Sequence, residues 1–206
     1  MSSILVLPGG GYSRHAPHEG EPVAEWLRGL GWDARAVEYP VGRRHPEPLN
    51  AVRRELAAER SRGATTVGLI GFSAGGHLAG HAALALPAAE RPDFAILGYP
   101  VVSFLTPTHK GSRDTLLGPR PWPWTRRSVS LERLVTDDAP PFFLWHTAED
   151  TAVPAQHSYL LASALEQRGV PHELHVFEHG RHGLGFAEGL PAERWRSLAE
   201  VWLAGR

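Results

Sequence analysis

The chain has 206 residues, no cysteine, and 21 Lys and Arg against 22 Asp and Glu. This length fits one domain of ordinary core size, so we expect residues 1–206 to form a single domain. A net charge of -1 gives no basic field that would attract nucleic acid. The lack of cysteine excludes disulfides, thiolate nucleophiles and cysteine-ligated metal centres, so any nucleophile must be an oxygen or a nitrogen.

Short apolar runs alternate with segments of helical periodicity along the whole chain. The predicted strands are residues 4–7, 33–38, 66–70, 94–97, 142–146 and 173–177. Helical patterns cover residues 21–30, 78–86, 154–168 and 195–202. Gly31 and Gly169 follow two of these helices as expected C-terminal caps. The alternation predicts an α/β fold, a three-layer sandwich whose mainly parallel sheet of about six strands has helices on both faces.

Two features bear on location and on the binding site. The first seven residues lack the charged start and long apolar run of a signal peptide, and no apolar run reaches the length of a membrane span. We therefore expect a cytoplasmic protein with no membrane partner. Residues 103–130 contain several prolines together with Trp122 and Trp124, and their irregular pattern predicts a lid or binding loop.

The strongest motif is residues 71–77, Gly-Phe-Ser-Ala-Gly-Gly-His, which follows a predicted strand and precedes a predicted helix. A nucleophile elbow needs this strand-turn-helix context, with glycines two residues either side of the serine because the backbone is crowded there. The pattern predicts Ser73 as a nucleophile, with the Ala74 N–H directed at developing negative charge. A short glycine-rich string can also arise by chance, so the motif needs partners elsewhere.

A serine hydroxyl needs a base and an acid that orients the base, expected in the chain order Ser, Asp or Glu, then His. Asp150 follows the fifth predicted strand, with Glu149 as the rival acid and a helix cap as the alternative role. His182 lies between glycines after the last strand, with His179 as the rival base. We favour Asp150 and His182.

The residues after the first strand, Pro-Gly-Gly-Gly-Tyr at 8–12, provide N–H groups that no side chain shields. Gly10 and Gly11, together with Ala74, are the predicted oxyanion-hole donors. A dinucleotide-binding loop is excluded by spacing, because Arg14 stands where G-x-G-x-x-G needs glycine. The next polar residues, His15, His18 and Glu19, are either ligands for a divalent metal or, as we favour, a hydrogen-bonded support for the glycine loop.

Together these motifs resemble the α/β-hydrolase superfamily, and within it the small esterases that include acetylxylan and feruloyl esterases. The resemblance implies a minimal fold with a small or absent cap and an open pocket. It also implies Ser73 as nucleophile, His182 as base and Asp150 as orienting acid, with no metal or organic cofactor. Pro8 departs from the family pattern, since many relatives have histidine before the glycines. Tyr12, Trp122 and Trp124 are candidate contacts for a sugar.

Three functional hypotheses are compatible with these residues. The first is a serine esterase that cleaves short-chain, acetyl-type esters through an acyl-enzyme, with small-molecule substrates that include acetylated sugars. The second is an acyl peptidase, formamidase or thioesterase that uses the same residues. The third is a binding domain that has kept the fold without the activity.

Overall fold

The computed structural model describes residues 2–206. Its six strands are β1 (Ser2–Leu7), β2 (Asp33–Ala36), β3 (Thr66–Phe72), β4 (Phe94–Gly98), β5 (Phe142–Thr147) and β6 (His172–Phe177). They form one sheet in the order β2-β1-β3-β4-β5-β6, and every neighbouring pair is parallel. The predicted α/β fold is confirmed, with a sheet that is wholly parallel among the described residues.

Helices cover both faces of the sheet. They are α1 (Glu21–Gly29), α2 (Glu47–Ser61), α3 (Ala74–Ala85), α4 (Lys110–Leu117), α5 (Pro123–Ser128), α6 (Gln156–Gln167) and α7 (Trp195–Leu203). Leu5 and Leu7 of β1 pack with α2, α3 and α6, whereas Ile4 and Val6 pack with α1 and α7. Successive side chains thus enter opposite cores, which explains why the central strands are almost entirely apolar. No helix among residues 2–206 has the length and apolar character needed to cross a membrane.

The order in which successive strands are added to the sheet reverses between β1 and β3. The chain leaves β1 for β2 on one side and returns to β3 on the other. Loops that diverge in this way leave a crevice at the carboxyl edge of a parallel sheet, where ligands of such folds bind. Because Leu7 pairs with Gly71, the loops after β1 and β3 start from neighbouring positions. This order brings residues 8–12 beside the turn that holds Ser73.

The prediction for residues 103–130 as an irregular segment is wrong in part, because α4 and α5 lie within it. The His109 side chain caps α4 by accepting a hydrogen bond from the Ser112 N–H at 3.2 Å. Pro123 begins α5, where its fixed φ favours a first helical turn. Both helices are too short for a periodic pattern to stand out in the sequence.

Candidate active site

Ser73 lies in the tight turn between β3 and α3 with φ of 53° and ψ of -116°, a backbone conformation that non-glycine residues rarely adopt. Such strain persists only where the surrounding structure enforces it. A Cβ at Gly71 would lie 2.3 Å from the Gly75 carbonyl oxygen, and one at Gly75 would lie 2.1 Å from the Leu7 carbonyl oxygen. Both flanking positions therefore require glycine, which is the steric basis of the G-x-S-x-G pattern.

The structure brings Ser73, His182 and Asp150 together from the ends of β3, β6 and β5. The Ser73 Oγ lies 2.7 Å from His182 Nε2, and His182 Nδ1 lies 2.6 Å from Asp150 Oδ2. An ionised carboxylate only accepts hydrogen bonds, so Nδ1 of the neutral ring holds the proton and Nε2 can accept the serine proton. The three side chains form a continuous hydrogen-bonded series with the polarity that general-base catalysis needs.

The Asp150 side chain is fully buried and has donors around both oxygens. Oδ1 accepts from the N–H groups of Ala152 at 3.0 Å and Val153 at 2.9 Å, while His146 Nε2 lies 3.3 Å from Oδ2. Burial by itself raises the pKa of Asp150, but the hydrogen bonds from His146 and His182 outweigh burial and hold the pKa well below its ordinary value. The carboxylate is therefore ionised at neutral pH.

The rival acid and base pair with each other on the surface. Glu149 Oε1 lies 2.9 Å from His179 Nδ1, and the Gly180 N–H donates to Glu149 Oε2 at 3.0 Å. The Gly180 carbonyl accepts from the Thr147 hydroxyl at 2.8 Å, so the loop that bears His182 is held on two sides. Glu149 and His179 thus hold the loop but do not contact Ser73.

The glycine loop is anchored by a buried carboxylate. The Gly9 N–H donates to Glu19 Oε2 at 2.7 Å, and the Pro8 carbonyl accepts from the Tyr39 hydroxyl at 2.6 Å. These two bonds hold the loop in place from its first residues. The N–H groups of Gly10 and Gly11 donate no hydrogen bond within residues 2–206, and both residues line the cavity that includes Ser73.

The third predicted donor is the N–H of Ala74. Ala74 is the first residue of α3, so its N–H has no acceptor within that helix. The N-terminal end of the helix also has a partial positive charge. Both properties suit an N–H that stabilises negative charge beside Ser73.

The cavity around Ser73 measures about 410 Å³ and is lined mainly by glycine and by residues with polar side chains. It is lined by Gly10, Gly11, Ser13, Arg14, Ala16, His18, Glu19, Ser73, His109, Gly111, Arg181, His182 and Gly183. Ala16 is the one lining residue with an apolar side chain.

Three predicted sugar contacts lie elsewhere. Tyr12 is 0% exposed, because its backbone φ of 61° turns the ring inward, and its hydroxyl lies 2.6 Å from His77 Nδ1. Trp122 and Trp124 stack on each other with ring centroids 4.7 Å apart and are not among the cavity-lining residues. The assignment of Tyr12 to substrate binding is corrected by its burial, and the two tryptophans form a separate exposed surface.

One residue next to the base was missed by the sequence analysis. The Tyr99 ring packs edge-on against His182, with centroids 5.1 Å apart. Its hydroxyl donates to Glu19 Oε1 at 2.6 Å and accepts from the Gly185 N–H at 2.8 Å. Tyr99 thereby joins the glycine loop to the loop that bears His182. Its position directly after β4, at the carboxyl edge of the sheet, was the available signal.

The three candidate metal ligands do not converge on one point. His15 Nε2 lies 3.0 Å from the Tyr39 carbonyl, His18 Nε2 lies 3.1 Å from the Gly183 carbonyl, and Glu19 accepts from Gly9 and Tyr99. No group of three or more His, Asp or Glu in the described part of the chain could hold a metal ion. Glu19 bonds the glycine loop directly, whereas the two histidines bond carbonyls outside it.

A buried histidine lies beneath the glycine loop. His77 Nε2 donates to the Val129 carbonyl at 2.7 Å, so its Nδ1 accepts from the Tyr12 hydroxyl. Burial lowers the pKa of His77 to about 4, although the hydrogen bond to Val129 acts in the opposite direction. The ring is therefore neutral where it joins α3 to the glycine loop.

We expect the free energy of unfolding to decrease as the pH is lowered. A histidine in the unfolded chain titrates near ~6.5, whereas folded His77 stays neutral until about pH 4. The stability due to neutral His77 is fully present above the unfolded pKa and falls between these two values, by about 3 kcal/mol. Urea unfolding at a series of pH values, from neutral pH down to about pH 4, measures this decrease in the free energy of unfolding. His77→Gln should show a smaller loss, and an equal loss in both proteins would contradict the assignment.

The comparisons with known proteins agree with this architecture. A model of the prolyl oligopeptidase family matches residues 28–200. The chain is 35% identical over 206 residues to an endo-1,4-beta-xylanase B from Butyrivibrio fibrisolvens, with 89% of this chain and 32% of that protein covered. It is 32% identical over 199 residues to an acetylxylan esterase from Xylanibacter ruminicola, with 89% and 41% covered. The chain thus spans less than half the length of these curated relatives.

A solved structure shows the same fold over the whole chain. The acetyl ester-xyloside bifunctional hydrolase from Caldicellulosiruptor lactoaceticus superposes with a TM-score of 0.96 at 40% identity, covering 100% of this chain and 83% of that protein. The predicted resemblance to α/β hydrolases, and to the esterases among them, is confirmed by these matches. The chain has the α/β-hydrolase fold and belongs to the prolyl oligopeptidase family.

Proposed function

We propose that this chain is a serine esterase that cleaves short-chain, acetyl-type carboxylic esters through an acyl-enzyme. The observation that supports this most strongly is the continuous series from Ser73 Oγ through His182 to Asp150, with both hydrogen bonds at 2.7 Å or less. Esterase names among the relatives and solved structures point the same way.

The steps follow from the geometry. Ser73 Oγ attacks the ester carbonyl while His182 Nε2 takes its proton, and Asp150 stabilises the resulting imidazolium. The N–H groups of Gly10, Gly11 and Ala74 would stabilise the oxyanion. His182 then protonates the leaving alcohol. A water molecule attacks the acyl-enzyme with His182 again as base, which releases the acid and restores Ser73.

The cavity supports a small acyl group and a polar alcohol. Its volume of about 410 Å³ lies at the low end of small-molecule sites, and its walls are mostly glycine and polar side chains. A long acyl chain would meet Ala16 as the one apolar side chain on this wall. A sugar alcohol would find hydrogen-bonding groups, so acetylated sugars are substrates of the proposed kind.

We expect kcat/KM for p-nitrophenyl esters to decrease from acetate through butyrate to octanoate. The total decrease should be at least about tenfold, because a cavity of about 410 Å³ has limited room for a longer acyl chain beside the alcohol. Acetate release from acetylated xylo-oligosaccharides tests the sugar substrate directly. A maximum at octanoate would contradict the short-chain assignment.

Amide hydrolysis is the second candidate, favoured by the match to a peptidase family. Acyl-peptide anilides, a formanilide and an acyl thioester, assayed beside p-nitrophenyl acetate, distinguish these activities. We expect the acetyl ester to have the highest kcat/KM. Labelling of Ser73 by a fluorophosphonate tests the third possibility, since a non-catalytic binding domain would not be modified there.

A further inference from the structure

Two arginines without carboxylate partners line the cavity around the proposed nucleophile. Arg14 and Arg181 both line the same cavity as Ser73, and both are solvent-exposed. Neither guanidinium forms an ion pair with Asp or Glu within residues 2–206. Other arginines of the chain are also exposed, but these two lie beside the serine that would attack the substrate.

Each arginine belongs to a loop that provides a reacting group. Arg14 follows the glycine loop, and its N–H donates to the Gly10 carbonyl at 3.3 Å. Arg181 directly precedes His182, and its Nη1 donates to the His182 carbonyl at 2.9 Å. Both arginines therefore belong to loops that also carry groups of the candidate active site.

Acidic side chains on the cavity wall offset only part of this positive charge, because two arginines face one glutamate. Glu19 is the one acidic residue among the lining residues, and its two oxygens already accept from the Gly9 N–H and the Tyr99 hydroxyl. An adjoining cavity of about 490 Å³ shares Arg181 and has Glu188 on its wall, which would repel an anion there. Excess positive charge is thus local to the Ser73 side, in a chain whose net charge is -1.

The cavity wall also includes His109, a neutral hydrogen-bond donor. His109 lines the cavity, and its Nδ1 accepts from the Ser112 N–H at 3.2 Å. An amide N–H can only donate, so the proton of the neutral ring must be on Nε2. The side chains around Ser73 therefore offer N–H donors to a ligand, and donors suit carboxylate oxygens.

We propose that the site selects esters that carry a carboxylate near the scissile bond, held by Arg14 and Arg181. This inference rests on the proposed esterase function and specifies its substrate class. Guanidinium groups bind carboxylates through paired N–H···O bonds and also attract anions at a distance. The carboxylate could belong to the acyl group, as in a dicarboxylic acid monoester, or to the alcohol, as in an acetylated uronic acid.

The test compares anionic and neutral esters of matched size. Mono-p-nitrophenyl succinate is paired with p-nitrophenyl butyrate for the acyl side, and an acetylated methyl glucuronide with the acetylated methyl glucoside for the alcohol side. The measured quantity is the ratio of kcat/KM for the anionic ester to that for the neutral one. The proteins are the wild type, Arg14→Gln, Arg181→Gln, Arg14→Lys, Arg181→Lys, and Arg54→Gln as a control of equal charge change at an exposed position of α2.

We expect each Gln variant to lower the ratio for at least one pair by about threefold to tenfold. The Lys variants should restore part of it, Arg54→Gln should leave it unchanged, and added salt should reduce it in the wild type. The pair that responds identifies the side of the ester that bears the charge. A wild-type enzyme that hydrolyses all four esters with ratios unaffected by Arg14→Gln and Arg181→Gln overturns this inference alone. Absence of any hydrolysis or serine labelling overturns the proposed function.

Discussion

Replacement of Ser73 by alanine is expected to lower kcat by roughly four to six orders of magnitude, as in other enzymes that use a serine, histidine and aspartate series. Alanine has no nucleophilic oxygen, so the acyl-enzyme cannot form and only substrate binding and the oxyanion hole remain. The effect should fall on kcat far more than on KM, because Ser73 Oγ acts on the carbonyl only as the reaction proceeds.

Stopped assays with p-nitrophenyl acetate at high enzyme concentration measure this loss. Ser197→Ala is the matched control, because Ser197 is an exposed residue of α7 whose hydroxyl donates to the Arg194 carbonyl. Urea unfolding of both variants should give transitions close to that of the wild type. Retention of most of the activity by Ser73→Ala would refute the proposed nucleophile.

Asp150→Asn is expected to lower kcat by about 10⁴-fold without displacing the side chain. Asp150 Oδ1 accepts from two backbone N–H groups, at Ala152 and Val153, so the asparagine oxygen must remain on that side. Its amide N–H would then face His182 Nδ1, which would have to become the acceptor. The ring proton would move to Nε2, and His182 could no longer accept the Ser73 proton.

Glu149→Gln is the control for this change, since Glu149 is the adjacent carboxylate. It pairs with His179 on the surface and holds the Gly180 N–H, but it does not contact His182. We expect a decrease in kcat of no more than a few fold. A large loss in Glu149→Gln with little change in Asp150→Asn would transfer the orienting role to Glu149.

Periodicity and short motifs predicted the alternating architecture and the strand-turn-helix around Ser73. These properties are local, because buried parallel strands need consecutive apolar residues and the turn needs glycine at positions 71 and 75. Helices α4 and α5 were not predicted, since each is short and is set by a cap or a proline rather than by a periodic apolar face.

The sequence favoured Asp150 over Glu149 and His182 over His179, but it left both rivals open. Each pair lies within a few residues in one loop, after β5 for the two acids and after β6 for the two histidines. The choice depends on which side chains point toward Ser73 and which face solvent. The path of each loop decides this, and the path depends on long-range contacts such as the hydrogen bond from the Thr147 hydroxyl to the Gly180 carbonyl. Tyr12 illustrates the same limit, because a positive φ turns a residue of the glycine loop into the core.

By itself the sequence determined the class of fold, the strained serine turn and the chain order of the candidate acid and base, because each is encoded within a few consecutive residues. Only the tertiary structure decided which acid meets which base, that Tyr99 and Glu19 join the two loops, and that Arg14 and Arg181 share one cavity. The reason is physical: these contacts join residues far apart in the chain, and the strand order that brings them together results from packing the whole sheet.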